Sequence, residues 1–91
     1  MVFIRNEGLQ EAQVLVEMTD PGQFSYRGML APGEQVSHRA EFAENSFKIE
    51  CRDQNGAFGY GDGYVTNGVS FIATITIDGC DTVSLNLQSL P

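Results

Sequence analysis

Strict alternation of apolar and polar side chains is the feature that most constrains the fold of this chain. Every odd position from 69 to 77 is apolar, and the segments 47–52 and 83–88 alternate in the same way. Successive side chains of a β-strand point to opposite faces, so a period of two predicts strands with one buried face. The periodicity of an amphipathic helix is almost absent.

Weaker alternation predicts four further strands over residues 2–6, 13–19, 24–30 and 34–42, separated by turn sequences such as Pro32-Gly33. Seven or eight short strands predict an all-β fold, a compact antiparallel two-sheet β-sandwich, with a partly closed barrel as the alternative. A chain of 91 residues rarely holds two cores, so we expect one β-sandwich domain over residues 1–91.

The same pattern constrains the connection between the last two strands. A two-residue turn at Asp78 and Gly79 would place Cys80 opposite Ile77, and the apolar face of the last strand would then point to water. Burial therefore requires a loop with an odd number of residues, about three or five, that contains Cys80. This places Cys80 at one end of a sheet, and Cys51 lies near the C-terminal end of its own predicted strand.

Cys51 and Cys80 are the only cysteines, and they do not form a Cys-x-x-Cys pair. Because the chain has a single histidine, a structural zinc site lacks ligands at metal spacing. The two cysteines form either a disulfide or two free thiols. A disulfide that closes a loop of about 30 residues would stabilise the fold by roughly 3–4 kcal/mol.

The acidic balance argues against several classes of partner. Five basic residues against twelve acidic ones give a net charge of −7, so a basic footprint for nucleic acid is missing. No apolar run approaches the roughly 20 residues that span a bilayer, which disfavours a membrane partner. No signal peptide is visible, while a single lysine and many small polar residues lean towards a secreted or extracytoplasmic location.

The sequence offers little for catalysis. His38 has no serine nucleophile motif beside it and shares a strand face with Val36 and Phe42, which is typical of a half-buried histidine rather than a general base. The carboxylates form no closely spaced pair on one strand face. We therefore expect a protein that is not an enzyme and that has no cofactor.

Calcium is the best metal candidate, although the sequence does not predict it. Oxygen ligands stand in turn regions at Asp53, Asn55 and Asp62, and such ligands suit a hard cation. The EF-hand pattern fails because Tyr64 stands where a bidentate glutamate is required. Since Asp and Asn side chains in turns usually bond their own backbone, we expect no metal site.

The most unusual segment is 56–68, GAFGYGDGYVTNG, in which aromatic residues are interleaved with glycines. Glycines let a backbone approach another surface closely, and tyrosines offer an apolar face with a polar tip. This composition predicts a loop at one end of the sandwich that recognises a protein or glycan partner through Phe58, Tyr60, Asp62, Tyr64 and Asn67. A glycine-bulged hairpin whose aromatic rings close the end of the core would need the same residues.

Three short stretches carry a likeness to a known family: IRNEG at 4–8, VLV at 14–16, and YGDGY at 60–64 followed by Asn67. In these the chain resembles the aegerolysins, small acidic β-sandwich proteins that bind membrane lipids. The likeness covers scattered residues over about half of the chain, which is shorter than the family members and lacks their tryptophans. It implies a lipid-binding or membrane-active β-sandwich.

The leading hypothesis is a non-catalytic binding module for a protein or glycan. Two alternatives stand beside the lipid-binding one. A small acidic inhibitor protein would place its carboxylates in a basic groove of its target. A structural subunit of a homo-oligomer is the other alternative, since Lys48 is the only lysine that could guard a strand edge.

Overall fold

The computed structural model describes residues 1–18, 25–39, 45–65 and 71–89. These residues form two four-stranded sheets that pack face to face and do not close into a barrel, so the predicted all-β two-sheet fold is confirmed. In chain order the strands are β1 (Val2–Asn6), β2 (Ala12–Met18), β3 (Ser25–Leu30), β4 (Gln35–His38), β5 (Asn45–Asp53), β6 (Gly56–Val65), β7 (Phe71–Ile77) and β8 (Val83–Ser89).

The first sheet has the strand order β4-β1-β7-β8, and the second sheet has the order β3-β2-β5-β6. Neighbouring strands pair antiparallel, with one exception: β1 and β7 run parallel. Parallel neighbours need a long connection, and here the strands β2 to β6 all lie between the two partners in sequence.

Alternate residues of the strands face one apolar core between the sheets, as the period of two predicts. Burial of a large apolar side chain contributes roughly 1.5–3 kcal/mol, so this core is the main source of stability. The apolar side chains that are at most 2% exposed are Val2, Ile4, Ala12, Val14, Val16, Leu30, Phe47, Ile49, Cys51, Ala73, Ile75, Ile77 and Cys80.

The predicted strands correspond to observed ones, with differences at their ends. The strand predicted over 34–42 is shorter, because β4 ends at His38 and Arg39 lies beyond it. The remainder of that prediction, residues 40–42, lies outside the described residues. The same holds for the predicted strand ends at 19, 24 and 69–70.

The β7–β8 connection has the odd length that burial requires. Ile77 pairs with Val83, so the five residues 78–82 form the loop, with Cys80 at its centre. The N–H of the first loop residue donates to the carbonyl oxygen of the last one at 2.9 Å. The register prediction is confirmed, since the apolar side chains of β8 pack against the core.

Asn6, at the end of β1, is a polar residue that is only 1% exposed. Its side-chain nitrogen Nδ2 donates to the carbonyl oxygens of Gln10 at 2.8 Å and Leu30 at 2.9 Å. Its oxygen Oδ1 accepts a hydrogen bond from the N–H of Gly8 at 2.9 Å. Both donor hydrogens and the acceptor of this amide are therefore satisfied, and the burial leaves no unpaired polar group on it.

The backbone of Asn6 binds a second connection. Its N–H donates to the carbonyl oxygen of Glu34 at 3.0 Å, and its carbonyl oxygen accepts from the N–H of Gly33 at 2.8 Å. Residues 7–11 lead from β1 to β2 and residues 31–34 from β3 to β4, so each connection crosses from one sheet to the other. One residue thus fixes two of the points at which the chain changes sheet.

Replacing Asn6 with alanine should lower the free energy of unfolding by about 3 kcal/mol, because two carbonyl oxygens and one N–H lose their partner inside the protein. Urea denaturation followed by circular dichroism measures this change. Asn86→Ala on the exposed face of β8 is the matched control and should change stability by less than about 0.5 kcal/mol. Equal stability of the two variants would contradict the role of Asn6.

Candidate functional site

Residues 56–65 form an edge strand of the second sheet, so the prediction of a loop is wrong for this part of the segment. β6 pairs with β5 along its length, and residues 54 and 55 make the turn between the two strands. The period of two is present here, since Phe58 and Tyr60 lie on one face. The alternation is not recognisable in the sequence because Ala57, Gly59 and Gly61, rather than polar residues, occupy the other face.

Phe58 and Tyr60 lie on the inner face of β6 and pack against the core. They pair with Cys51 and Ile49, which are both buried. Tyr60 also reaches the first sheet, because its hydroxyl donates to the carbonyl oxygen of Cys80 at 2.6 Å. The two aromatic side chains therefore hold β6 against the rest of the sandwich.

A β-bulge interrupts the far part of the β5–β6 pair. Tyr64 pairs with Ser46 but Asp62 pairs with Phe47, so Gly63 is an extra residue on β6. A bulge and inward-facing aromatic rings are the features of the bulged hairpin that was the alternative interpretation of this segment. The structure agrees with that alternative at Phe58 and Tyr60 and at the bulge, while the side chain of Tyr64 lies outside the described part.

The predicted contact residues do not form one exposed cluster in the described residues. Phe58 and Tyr60 face inwards. The backbones of Asp62 and Tyr64 lie in β6 while their side chains are outside the described part, and Asn67 lies wholly outside it. Their contact with a partner stays a prediction.

The three candidate calcium ligands are not brought together. One carboxylate oxygen of Asp53 accepts from the N–H of Asn55 at 2.8 Å, and the other accepts from the N–H of Cys80 at 2.8 Å. Asp62 pairs with Phe47, six residues along β5 from Asp53 and therefore about 20 Å away. Among the described residues, no group of three or more histidine, cysteine or acidic side chains could hold a metal ion.

Cys51 and Cys80 form a disulfide, with their Cα atoms 5.2 Å apart. The disulfide is confirmed, and the alternative of two free thiols is wrong. It joins β5 in the second sheet to the β7–β8 loop of the first sheet. Cys80 thus makes three contacts: a disulfide with Cys51, a hydrogen bond from its N–H to the carboxylate of Asp53, and a hydrogen bond to its carbonyl oxygen from the hydroxyl of Tyr60. We refer to these four residues as the Cys80 cluster.

The variant with both Cys51→Ala and Cys80→Ala should lose about 3–4 kcal/mol of unfolding free energy, because the unfolded chain is freed from a covalent loop. Urea denaturation without reductant measures the loss. The wild-type protein in excess reductant should approach the stability of the variant. Identical stability of the oxidised wild type and the variant would contradict this expectation.

An open groove of about 550 Å³ lies on the outer face of the second sheet. It exists because the outward positions of β6 carry almost no side chain, whereas those of the neighbouring β5 carry long charged ones. The groove is open to solvent rather than enclosed. Outward-facing residues that line it are Gln13, Leu15, Arg27, Glu50, Arg52, Ala57 and Gly59.

Arg27 and Arg52 both line this groove, and both are exposed. Leu15 of β2 pairs with Arg27, and Gln13, two residues away on β2, pairs with Arg52. Strand spacing and rise then place the two arginine Cα atoms about 12 Å apart. No carboxylate of the described residues forms an ion pair with either guanidinium.

Lys48, the third cation on this face, is balanced by carboxylates. Its Nζ lies 3.7 Å from Glu50 and 3.9 Å from Glu17. The free positive charge of the face is therefore concentrated at Arg27 and Arg52, which both line the groove.

The groove is not predicted by the local pattern of the sequence. The signal was present as two arginines at outward strand positions and as small residues at 57, 59 and 61. These residues line one groove only because β3, β2, β5 and β6 are neighbours in the sheet. Short-range alternation of apolar and polar residues does not determine the order of strands in a sheet.

His38 closes the other side of the sandwich, away from β6. Its half-buried ring packs against Tyr26, with ring centroids 5.2 Å apart, and so joins the edge strands β4 and β3. Burial, and then the negative charge of Glu34, raises the pKa of Tyr26 above its usual value. The expectation of a half-buried histidine is confirmed.

No protein-family model, curated protein or solved structure matches this chain. In the part of the chain that the structure describes, no helix is long and apolar enough to cross a membrane. The groove and the charges around it are therefore the basis on which a function can be argued.

Proposed function

We propose that this protein is a non-catalytic binding module that recognises a protein partner through the outer face of the second sheet. The single observation that carries the proposal is the open groove of about 550 Å³ that Arg27 and Arg52 line. Concave surfaces with a few polar groups at their rim are the usual sites of recognition in folded domains.

The character of the groove favours a polypeptide over a sugar. Sugar recognition commonly uses an aromatic ring as a stacking surface. On this face the described aromatic residues of β3 and β6 turn inwards, since Tyr26, Phe58 and Tyr60 pack against the core. What remains outside is the backbone at Gly59 together with apolar and charged side chains, which suit an extended peptide chain.

Gly59 allows a clean test because a side chain can be added there without strain. A Cβ atom at this position meets nothing within 4 Å. Gly59→Trp should therefore fold normally and fill the groove with an indole ring. Asn86→Trp, on the exposed outer face of the first sheet, adds the same ring elsewhere and serves as the matched control.

Peptides selected from a random phage library against the wild-type protein are the probe. They should bind the Asn86→Trp variant as they bind the wild type, and they should lose at least about tenfold in affinity for Gly59→Trp. Circular dichroism and urea denaturation check that both variants are folded. Peptides that bind both tryptophan variants equally well would overturn the groove as the binding site.

The disulfide supports an oxidising location for this function. Disulfides persist in secreted and periplasmic proteins and are rare where thiols are kept reduced. We infer that the protein works outside the cytosol. Fractionation of the source cells should recover it there with no titratable thiol after denaturation, whereas a cytosolic protein with two free thiols would contradict the inference.

A further inference from the structure

We propose that the groove binds an acidic, extended segment of the partner protein, whose carboxylates pair with Arg27 and Arg52. This inference rests on the proposed function and adds the chemistry of the partner to it. A protein with a net charge of −7 repels acidic partners unless its few cations are grouped, so the distribution of charge is decisive.

Three of the five basic residues, Arg27, Lys48 and Arg52, lie on the outer face of the second sheet. The outer face of the first sheet differs. There the guanidinium of Arg5 lies 3.2 Å from the carboxylate of Glu7, and it donates to the side chain of Gln35 at 2.8 Å. Arg27 and Arg52 thus keep unused capacity for a carboxylate, as does the exposed Arg39, which lies beyond β4 and away from the groove.

The spacing of these arginines suits a strand-like ligand. Side chains at positions i and i+4 of an extended peptide lie about 13 Å apart on one face, close to the separation of about 12 Å between the arginine Cα atoms. Between the arginines the groove offers Leu15, and Met29 beside it is 53% exposed. Apolar side chains of the peptide can contact these two residues while the carboxylates reach the guanidinium groups.

Glu50 is the opposing charge that lines the same groove. It pairs with Leu15 across the sheet and lies two residues from Arg52 on β5. Its carboxylate lies near Nζ of Lys48, which offsets part of its charge but does not remove it. An acidic ligand must therefore overcome electrostatic repulsion from Glu50. Neutralising Glu50 should strengthen binding, whereas neutralising either arginine should weaken it.

The experiment measures binding of a fluorescent peptide with glutamate at alternate positions, and of its glutamine counterpart, by fluorescence polarisation. Arg27→Gln and Arg52→Gln should each weaken binding of the glutamate peptide about threefold to tenfold, because each removes one charge-assisted contact. Glu50→Gln should strengthen binding about threefold, because it removes a repulsion. Arg5→Gln, on the other sheet, is the matched control and should leave binding unchanged.

Four results would overturn the acidic partner. One is equal affinity for the glutamate and glutamine peptides, and another is equal loss of binding in the Arg5→Gln control, which would indicate non-specific attraction. Binding of an oligosaccharide of uronic acids in place of the peptide, with the same dependence on arginine, would also overturn it. So would a homodimer in light scattering that Arg52→Gln dissociates, because the occupant would then be a second copy.

Failure of this inference is distinguishable from failure of the proposed function. If the phage peptides require an open groove at Gly59 but are neutral and ignore both arginine variants, the acidic chemistry is wrong and the binding module stands. If Gly59→Trp leaves all peptide binding intact, both proposals fall.

Discussion

The buried amide of Asn6 is the interaction on which the arrangement of the two sheets depends. Backbone hydrogen bonds between strands hold each sheet together. The relative position of the two sheets depends on where the chain crosses from one to the other. Asn6 bonds to Gly8 and Gln10 in one crossing and, through its backbone, to Gly33 and Glu34 in the other. A misplaced crossing would leave these groups buried without partners, which is costly in an apolar environment.

The Cys80 cluster fixes the sheets to each other at the same end of the sandwich and also shapes the proposed site. Tyr60 and Cys51 hold the inner side of β6 and β5 through contacts with Cys80, so β6 does not need outward side chains for its attachment. Its outer face is therefore free to carry Ala57 and Gly59. The packing contacts of this strand and the proposed recognition surface thus lie on opposite faces, which the alternation of a β-strand keeps apart.

Much of the fold can be predicted from the sequence, because the apolar or polar character of each residue indicates whether its side chain faces the core or the solvent. The alternation at 69–77 and 83–88 fixes which side chains face inwards, and the odd length of the β7–β8 loop follows from it. The parallel pairing of β1 with β7 and the groove do not follow, since both depend on which strands become neighbours. The glycines of 56–65 are the basis for predicting a loop, but they lie in strand β6. There Gly59 and Gly61 leave the outer face of the strand almost without side chains.

The strand order also has a consequence for how the chain acquires its structure during synthesis. All four strands of the second sheet lie between residues 12 and 65, so that sheet can assemble from one continuous stretch. The first sheet takes β1 from the beginning of the sequence and sets it beside β7, near the opposite end. Of the described strands, β1 is therefore synthesised well before its partner β7, and contacts between such distant segments slow folding. Until then β1 pairs with β4 along one edge, while its other edge has no partner strand, and unpaired strand edges favour aggregation of incompletely folded chains.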